Sequence, residues 1–266
     1  MQNWQPTNPV ERRFMIAHAD WLRFANDRDA RLMIWQTNEA DAQLVRLYFQ
    51  AQEELSCAVI RLRSQYLDEA RYAYALTNEI VRFYDSRRDA SNAQGMRADW
   101  QAPPYRGTDP ILHLLSVSDS LMQRHPDIFP ALIFVLEPAQ IHDESAFTGW
   151  LGKLLSVLKT APRLGERVRF VLPRTGVESL APLAERHRDV VRLARGQYTM
   201  ASVPRELLAE SGERGASGQF RRLFVELGET VGSGDPATLE RLRTQALEIS
   251  ERERWFDQCA VVHLIS

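Results

Sequence analysis

Apolar side chains recur at two different periods along this chain, and the switches between them predict its elements. Phe14, Ala17, His18, Trp21, Leu22 and Phe24 fall at helical spacing behind Asn8-Pro9, a helix start. RLMIWQ (31–36) is a short β-rich run, and TNEADAQLVRLYFQAQEEL follows with Thr37 or Asn38 as N-cap, acids in its first turn, and Leu44, Leu47 and Tyr48 on one face. CAVIRL (57–62) and DEARYAYALTNEIVRFYDSRR (68–88) repeat the strand and the helix, the latter through Tyr72, Leu76, Ile80 and Phe83. After a polar stretch over 89–110, Thr108-Asp109-Pro110 opens another helix, ILHLLSVSDSLMQRH. ALIFVL (131–136), RVRFVLP (167–173) and DVVRLAR (189–195) are three further strands, the first two followed by helical patterns.

Near-continuous apolar strands alternating with amphipathic helices predict an α/β fold: a mostly parallel sheet of about five strands with helices on both faces. Beyond residue 200 the strands stop. Helical patterns at 203–206, 220–231, 236–250 and 255–263 predict a helical C-terminal region, so the expected domains are 1–200, with an N-terminal helix, and 201–266. The last pattern is still apolar at Ser266 and has no capping glycine, as expected of a chain whose helical repeats continue. Trp255, Phe256, Cys259 and Val262 are expected to form one stripe. It would pack against the helix at 236–250, through Leu239, Leu242, Ala246 and Ile249, against a second chain, or against a further helical repeat.

Composition narrows the function classes. The 266 residues are 44% hydrophobic, enough for a sizeable core, and the net charge of −2 at pH 7 leaves no global attraction to nucleic acid or anionic membrane. The basic residues are almost all arginine, with lysine only at Lys153 and Lys159, a bias that reads first as GC-rich bacterial coding and alternatively as selection for bidentate anion contacts. Cys57 and Cys259 make neither a disulfide framework nor a zinc site, and no export signal or membrane span is visible, so a cytoplasmic protein is expected.

Ligands of an open α/β sheet bind beyond the carboxyl ends of the strands. That directs attention to Gln36-Thr37-Asn38, Arg63-Ser64-Gln65, Glu137-Pro138 and Pro173-Arg174-Thr175-Gly176, with Gln36, Glu137 and Arg174 as the candidate ligand crevice. No GxxxxGK[ST] phosphate loop exists. The nearest run, WLGKLL, has Phe147 where the first glycine belongs and Leu154 where the hydroxyl belongs. SGERGASG (211–218) joins two helices and reads as a linker, not as a dinucleotide loop. His142-Asp143-Glu144 reads as a helix start, with Asp143 or Ser145 as cap, since adjacent loop residues rarely converge on one ion. Ser116, Ser118, Asp119, His113 and His125 lack the strand-to-helix elbow that a nucleophilic serine needs. Neither a metal nor a cofactor is expected.

One strand carries a resemblance. IFVLEP (133–138), four apolar residues ending on an acid, resembles the magnesium-holding strand of P-loop ATPases. The tail RLRTQALEISERERWFDQCAVVHLIS resembles a first helical hairpin. Together with the strand–helix alternation over 30–200, the chain resembles a phosphate-loop-lacking NTPase-like module of the kind that precedes tetratricopeptide-type repeats in bacterial multidomain proteins. Without the loop, the resemblance does not imply hydrolysis of ATP.

In the long loop, RADWQAPPYRG, the aromatic residues either pack down as a lid or present Trp100, Tyr105 and Arg106 to a protein partner. The expected function is therefore a non-catalytic protein-binding adaptor or scaffold, with Trp100, Tyr105, Arg106, Trp255 and Phe256 as partner-binding residues. An effector-recruiting adaptor or chaperone of a bacterial secretion system would fit, with self-association through the C-terminal helix as a further expectation. The alternative is a nucleotide sensor or enzyme using the crevice.

Overall fold

The computed structural model describes residues 5–55, 58–95, 97–107, 109–176, 180–233 and 235–264, so the expected strand start at Cys57 and helix opener at Thr108 lie outside the described residues. The chain divides into two units, residues 14–198 and residues 199–266 together with 1–13. Residues 1–13 were expected with the α/β part. They group with the helical unit because Arg12 pairs with Glu210 and Arg13 with Glu206.

The larger unit is a five-stranded, all-parallel sheet in the order β2-β3-β4-β1-β5. The strands are β1 (Leu32–Thr37), β2 (Val59–Leu62), β3 (Leu132–Leu136), β4 (Val168–Thr175) and β5 (Val191–Gly196). Crossovers between parallel strands are right-handed, so the direction of travel decides which face a connecting helix covers. The step from β1 to β2 runs one way across the sheet, and those from β2 through β3 and β4 to β5 run the other. The helix α2 (Glu39–Leu55) therefore lies on the face opposite α3 (Glu69–Ala93), α4 (Pro110–Arg124), α5 (Glu144–Thr160), the short α6 (Pro162–Arg167) and α7 (Ala181–Arg186).

Strand pleating sorts the side chains accordingly. Leu32, Ile34, Ile60, Leu62, Phe134, Leu136, Phe170 and Leu172 face the α3–α5 side and share one core with Tyr72, Leu76, Leu115, Phe147 and Trp150. Trp35 faces the other side, in edge contact with Phe49 of α2 and near Tyr48, while Trp21 of α1 (Pro9–Asn26) packs on Phe49. Burial on both faces is why β1, β3 and the first part of β4 read as near-continuous apolar runs, whereas the edge strand β5 mixes buried and exposed positions.

Asparagine and aspartate set the helix starts. Asp68, Asp109 and Asp143 each accept a backbone N–H from the first turn of α3, α4 and α5, and Pro110 follows at a position where no N–H is needed. The loop between α3 and α4 is shorter than expected because α3 continues to Ala93 and ends at Gln94 with Gly95 in the left-handed region.

In the second unit, α8 (Val203–Ser211), α9 (Gly215–Ser233), α10 (Pro236–Arg252) and α11 (Phe256–Leu264) follow one another. Only Gly212–Arg214 of the expected linker lies outside helices, with Gly212 as the left-handed cap of α8. Phe220 and Leu227 of α9, Leu242, Ala246 and Ile249 of α10 and Val262 of α11 form a small core, against which Trp255 packs edge-on to Phe220 at 5.8 Å. The stripe expected to include Phe256 does not: this residue is 74% exposed. A step of one residue turns ~100° around a helix, which carries Phe256 away from the line through Trp255, Cys259 and Val262.

Candidate functional site

The connection leaving β1 goes to one face of the sheet and the connection leaving β4, its neighbour, goes to the other. The reversal opens a crevice at the carboxyl ends. A cavity of about 770 Å³ lies there, lined by strand-end residues Thr37, Arg61, Arg63, Glu137–Ala139 and Pro173–Thr175 and by Ala42, Arg46 and Gln50 of α2. Glu137 and Arg174 of the expected crevice are both in it. Gln36 is not in its lining, although its register partner on β4, Arg174, is.

The turn from β1 into α2, where an NTPase would hold phosphate, is a single residue, Asn38. Its Oδ1 accepts the Asp41 N–H (2.8 Å) and its Nδ2 donates to Asp41 Oδ2 (2.9 Å), which also accepts the Tyr198 N–H at 2.9 Å. Asp41 is fully buried. A helix N-terminus attracts an anion through free amides and the dipole; here a capping side chain takes one of those amides and a buried carboxylate sits in the first turn. Tyr198 closes the arrangement from the β5 side, its hydroxyl donating to Asp20 and accepting from Trp35 Nε1 at 2.8 Å. Burial, followed by the bond to Asp20, pushes the Tyr198 phenol well above its ordinary range. Gly196 makes this possible: a Cβ there would lie 2.5 Å from the Tyr198 ring and 2.9 Å from Trp35 Nε1.

Glu137, the acid of the ATPase-like strand, is held by a cation. Arg61 Nε and Nη2 both lie 2.8 Å from its Oε2, and Arg63 Nε is 3.7 Å away. The Arg61 side chain is 5% exposed and that of Glu137 17%. A carboxylate neutralised in this way is poorly placed to hold magnesium, and among the described residues no group of three or more His, Cys, Asp or Glu forms a metal cluster. Arg174 donates to Glu144 at 2.6 Å, and the Arg46 guanidinium has no hydrogen-bond or ion-pair partner among the described residues. Asp143 caps α5 and His142 is exposed, so these neighbours do not converge.

Sequence reading missed Arg46 and Arg61. Arg46 lies on a helix face that looks merely solvated. Arg61 carried a signal: a charge inside the apolar run CAVIRL has to find a partner once the strand is buried.

The partner-binding candidates divide by exposure. Trp100 was expected on the surface as one alternative, and it is 3% exposed. Its indole donates to Ser120 Oγ at 3.1 Å and stacks edge-on against Tyr84, while Arg88 donates to the Ala98 and Trp100 carbonyls, so the loop is strapped down along α3 and α4. Tyr105 is 44% exposed, in edge contact with Tyr74 and His113, and Arg106 is exposed. Trp255 is half-buried and Phe256 exposed. The serine and histidine candidates do not meet, because Ser118 donates to the Leu114 carbonyl and His125 bonds Tyr84. Among the described residues no helix is long and apolar enough to cross a membrane. Compared with known proteins, the chain matches no family model and no curated protein.

Proposed function

We propose that this chain is a non-catalytic, cytoplasmic protein-binding module: a degenerate relative of NTPase-like domains that keeps the strand-end crevice and has given up the phosphate-holding turn. The observation that carries the reading is the one-residue connection between β1 and α2, capped by Asn38 and backed by the buried Asp41. A triphosphate brought to this turn would meet a buried carboxylate instead of a cradle of amides. The occupied state of Glu137 supports it further, because the acid that would hold magnesium is paired with Arg61. Exposed Tyr105, Arg106 and Phe256 are residue types that anchor partner proteins, and the apolar surface of α11 is a place where an adaptor could add a partner or a second copy.

The cavity at the sheet's reversal favours one second reading, a nucleotide sensor. Phosphate release from Mg-ATP decides against or for catalysis. The binding-module reading expects release at the rate of buffer alone, and turnover that disappears in Glu137→Gln would overturn it.

A further inference from the structure

We infer that the arginine-lined crevice at the carboxyl ends of β1 to β4 is the docking slot for an acidic segment of a partner protein. This rests on the binding-module reading and names the chemistry of what binds. Among the described residues the lining holds Arg46, Arg61, Arg63 and Arg174 against one carboxylate, Glu137. Arg61 is committed to Glu137 and Arg174 to Glu144. One guanidinium remains uncommitted and a second is only loosely paired. That of Arg46 has no partner among the described residues, and the Arg63 side chain is 58% exposed with its nearest carboxylate oxygen 3.7 Å from Nε, beyond hydrogen-bond distance.

Two acids on the neighbouring helices are otherwise engaged. Glu53 accepts the Arg61 N–H, and Glu79 accepts the Arg63 and Ser64 N–H groups, both at 2.7 Å. Free guanidinium forks match carboxylates two bonds at a time.

The spaces between the arginines tell a carboxylate-bearing chain from a nucleotide. Ala42, Pro138, Ala139 and Pro173 are small and apolar, with the Thr37 and Thr175 side chains beside them. Among the described residues the lining has no aromatic ring to stack a base and no glycine, and the helix start beside it is capped by its own Asn38. At about 770 Å³ and open to solvent, the crevice is larger than one ion needs and has room for consecutive side chains of an extended segment.

Fluorescence anisotropy with a fluorescein-labelled peptide of alternating Glu and Ala, in low salt, tests this. The expected result is saturable binding that a Gln-Ala peptide of the same length lacks and that added Mg-ATP does not displace. Arg46→Glu combined with Arg63→Glu should weaken it about tenfold or more, since rim charges act on steering and affinity together. Arg46→Gln with Arg63→Gln, which keeps the bulk should the charge reversal unfold the unit, should give a smaller loss. Arg188→Glu, at an exposed position between α7 and β5, should leave it unchanged. No binding, or equal binding by all variants, would overturn the docking slot and leave the non-catalytic reading standing. Displacement by Mg-ATP with the same dependence on Arg46 and Arg63 would overturn both.

Discussion

Replacing Glu137 by alanine separates a structural acid from a metal-holding one, because the two roles predict opposite results. In the structure the Glu137 carboxylate is the only ion-pair partner of the Arg61 guanidinium among the described residues, with both contacts at 2.8 Å and Arg61 almost wholly buried. Removing one member of a buried pair leaves an uncompensated charge and costs ~3–5 kcal/mol. Glu137 itself keeps some exposure to the crevice, so water can reach the orphaned guanidinium, which places the cost at the low end, about 3 kcal/mol. Urea unfolding of the α/β unit should show a midpoint lower by roughly 1–3 M, from that cost and a slope of roughly 1–3 kcal/mol per M. Glu137→Gln keeps a neutral acceptor for Nε and should lose about half as much. The double variant Arg61→Met, Glu137→Leu removes both charges and should return to within about 1 kcal/mol of the parent, a strong non-additivity. A Glu137→Ala variant as stable as the parent, or a double variant whose effects simply add, would refute the pairing as a stabilising element.

His113, His125 and His187 all have pKa values lowered by burial, and neither ring nitrogen of His187 has a hydrogen-bond partner among the described residues. The unfolded chain therefore binds these protons more readily, so stability should be full above the ordinary histidine value near 6.5 and fall as pH drops through it; thermal unfolding between neutral and mildly acid pH should be less pH-dependent in His187→Leu, and an unaltered profile would contradict this. Trp255→Ala should cost the helical unit about 2 kcal/mol, less than a fully buried aromatic because Trp255 is half-buried, while Phe256→Ala should change stability by less than about 0.5 kcal/mol. Equal effects in chemical denaturation would show that the packing of α11 is misplaced. Gly196→Ala should destabilise by roughly 1–3 kcal/mol through the clash with Tyr198 and Trp35; a neutral result would mean that the Tyr198 ring is not seated there.

The inner strands were legible because burial on both faces makes them largely apolar, the edge strand β5 because buried and exposed positions mix within a short β-rich run, and the helices because their faces repeat with helical period. Their order in the sheet was not: β1 lies between β4 and β5 through pairings far apart in the chain, which no local pattern records. The crevice was legible from the general rule about strand ends, so Glu137 and Arg174 were found. Gln36 lies outside the lining although its register partner Arg174 lies within it, so pleat side alone does not decide which strand-end residues reach the crevice. Arg46 comes from a helix whose approach to the strand ends depends on the same long-range order. Trp100 shows the limit of composition alone, since a Trp and Tyr flanking two prolines reads equally as a surface anchor or as a strap, and the hydrogen bonds to Ser120 and Tyr84 that decide it are made by distant elements.

The central claim is that the turn from β1 into α2 is closed by Asn38 and the buried Asp41 and holds no nucleotide phosphate. Isothermal titration of the parent protein with Mg-ATP and Mg-ADP tests it most directly, because it reads binding without requiring turnover. The account predicts no saturable heat at concentrations up to about 1 mM, corresponding to less than about 4 kcal/mol of binding. Micromolar affinity that is lost when Asn38 or Asp41 is replaced would contradict it, since those residues would then be supporting a nucleotide at the turn they are said to close.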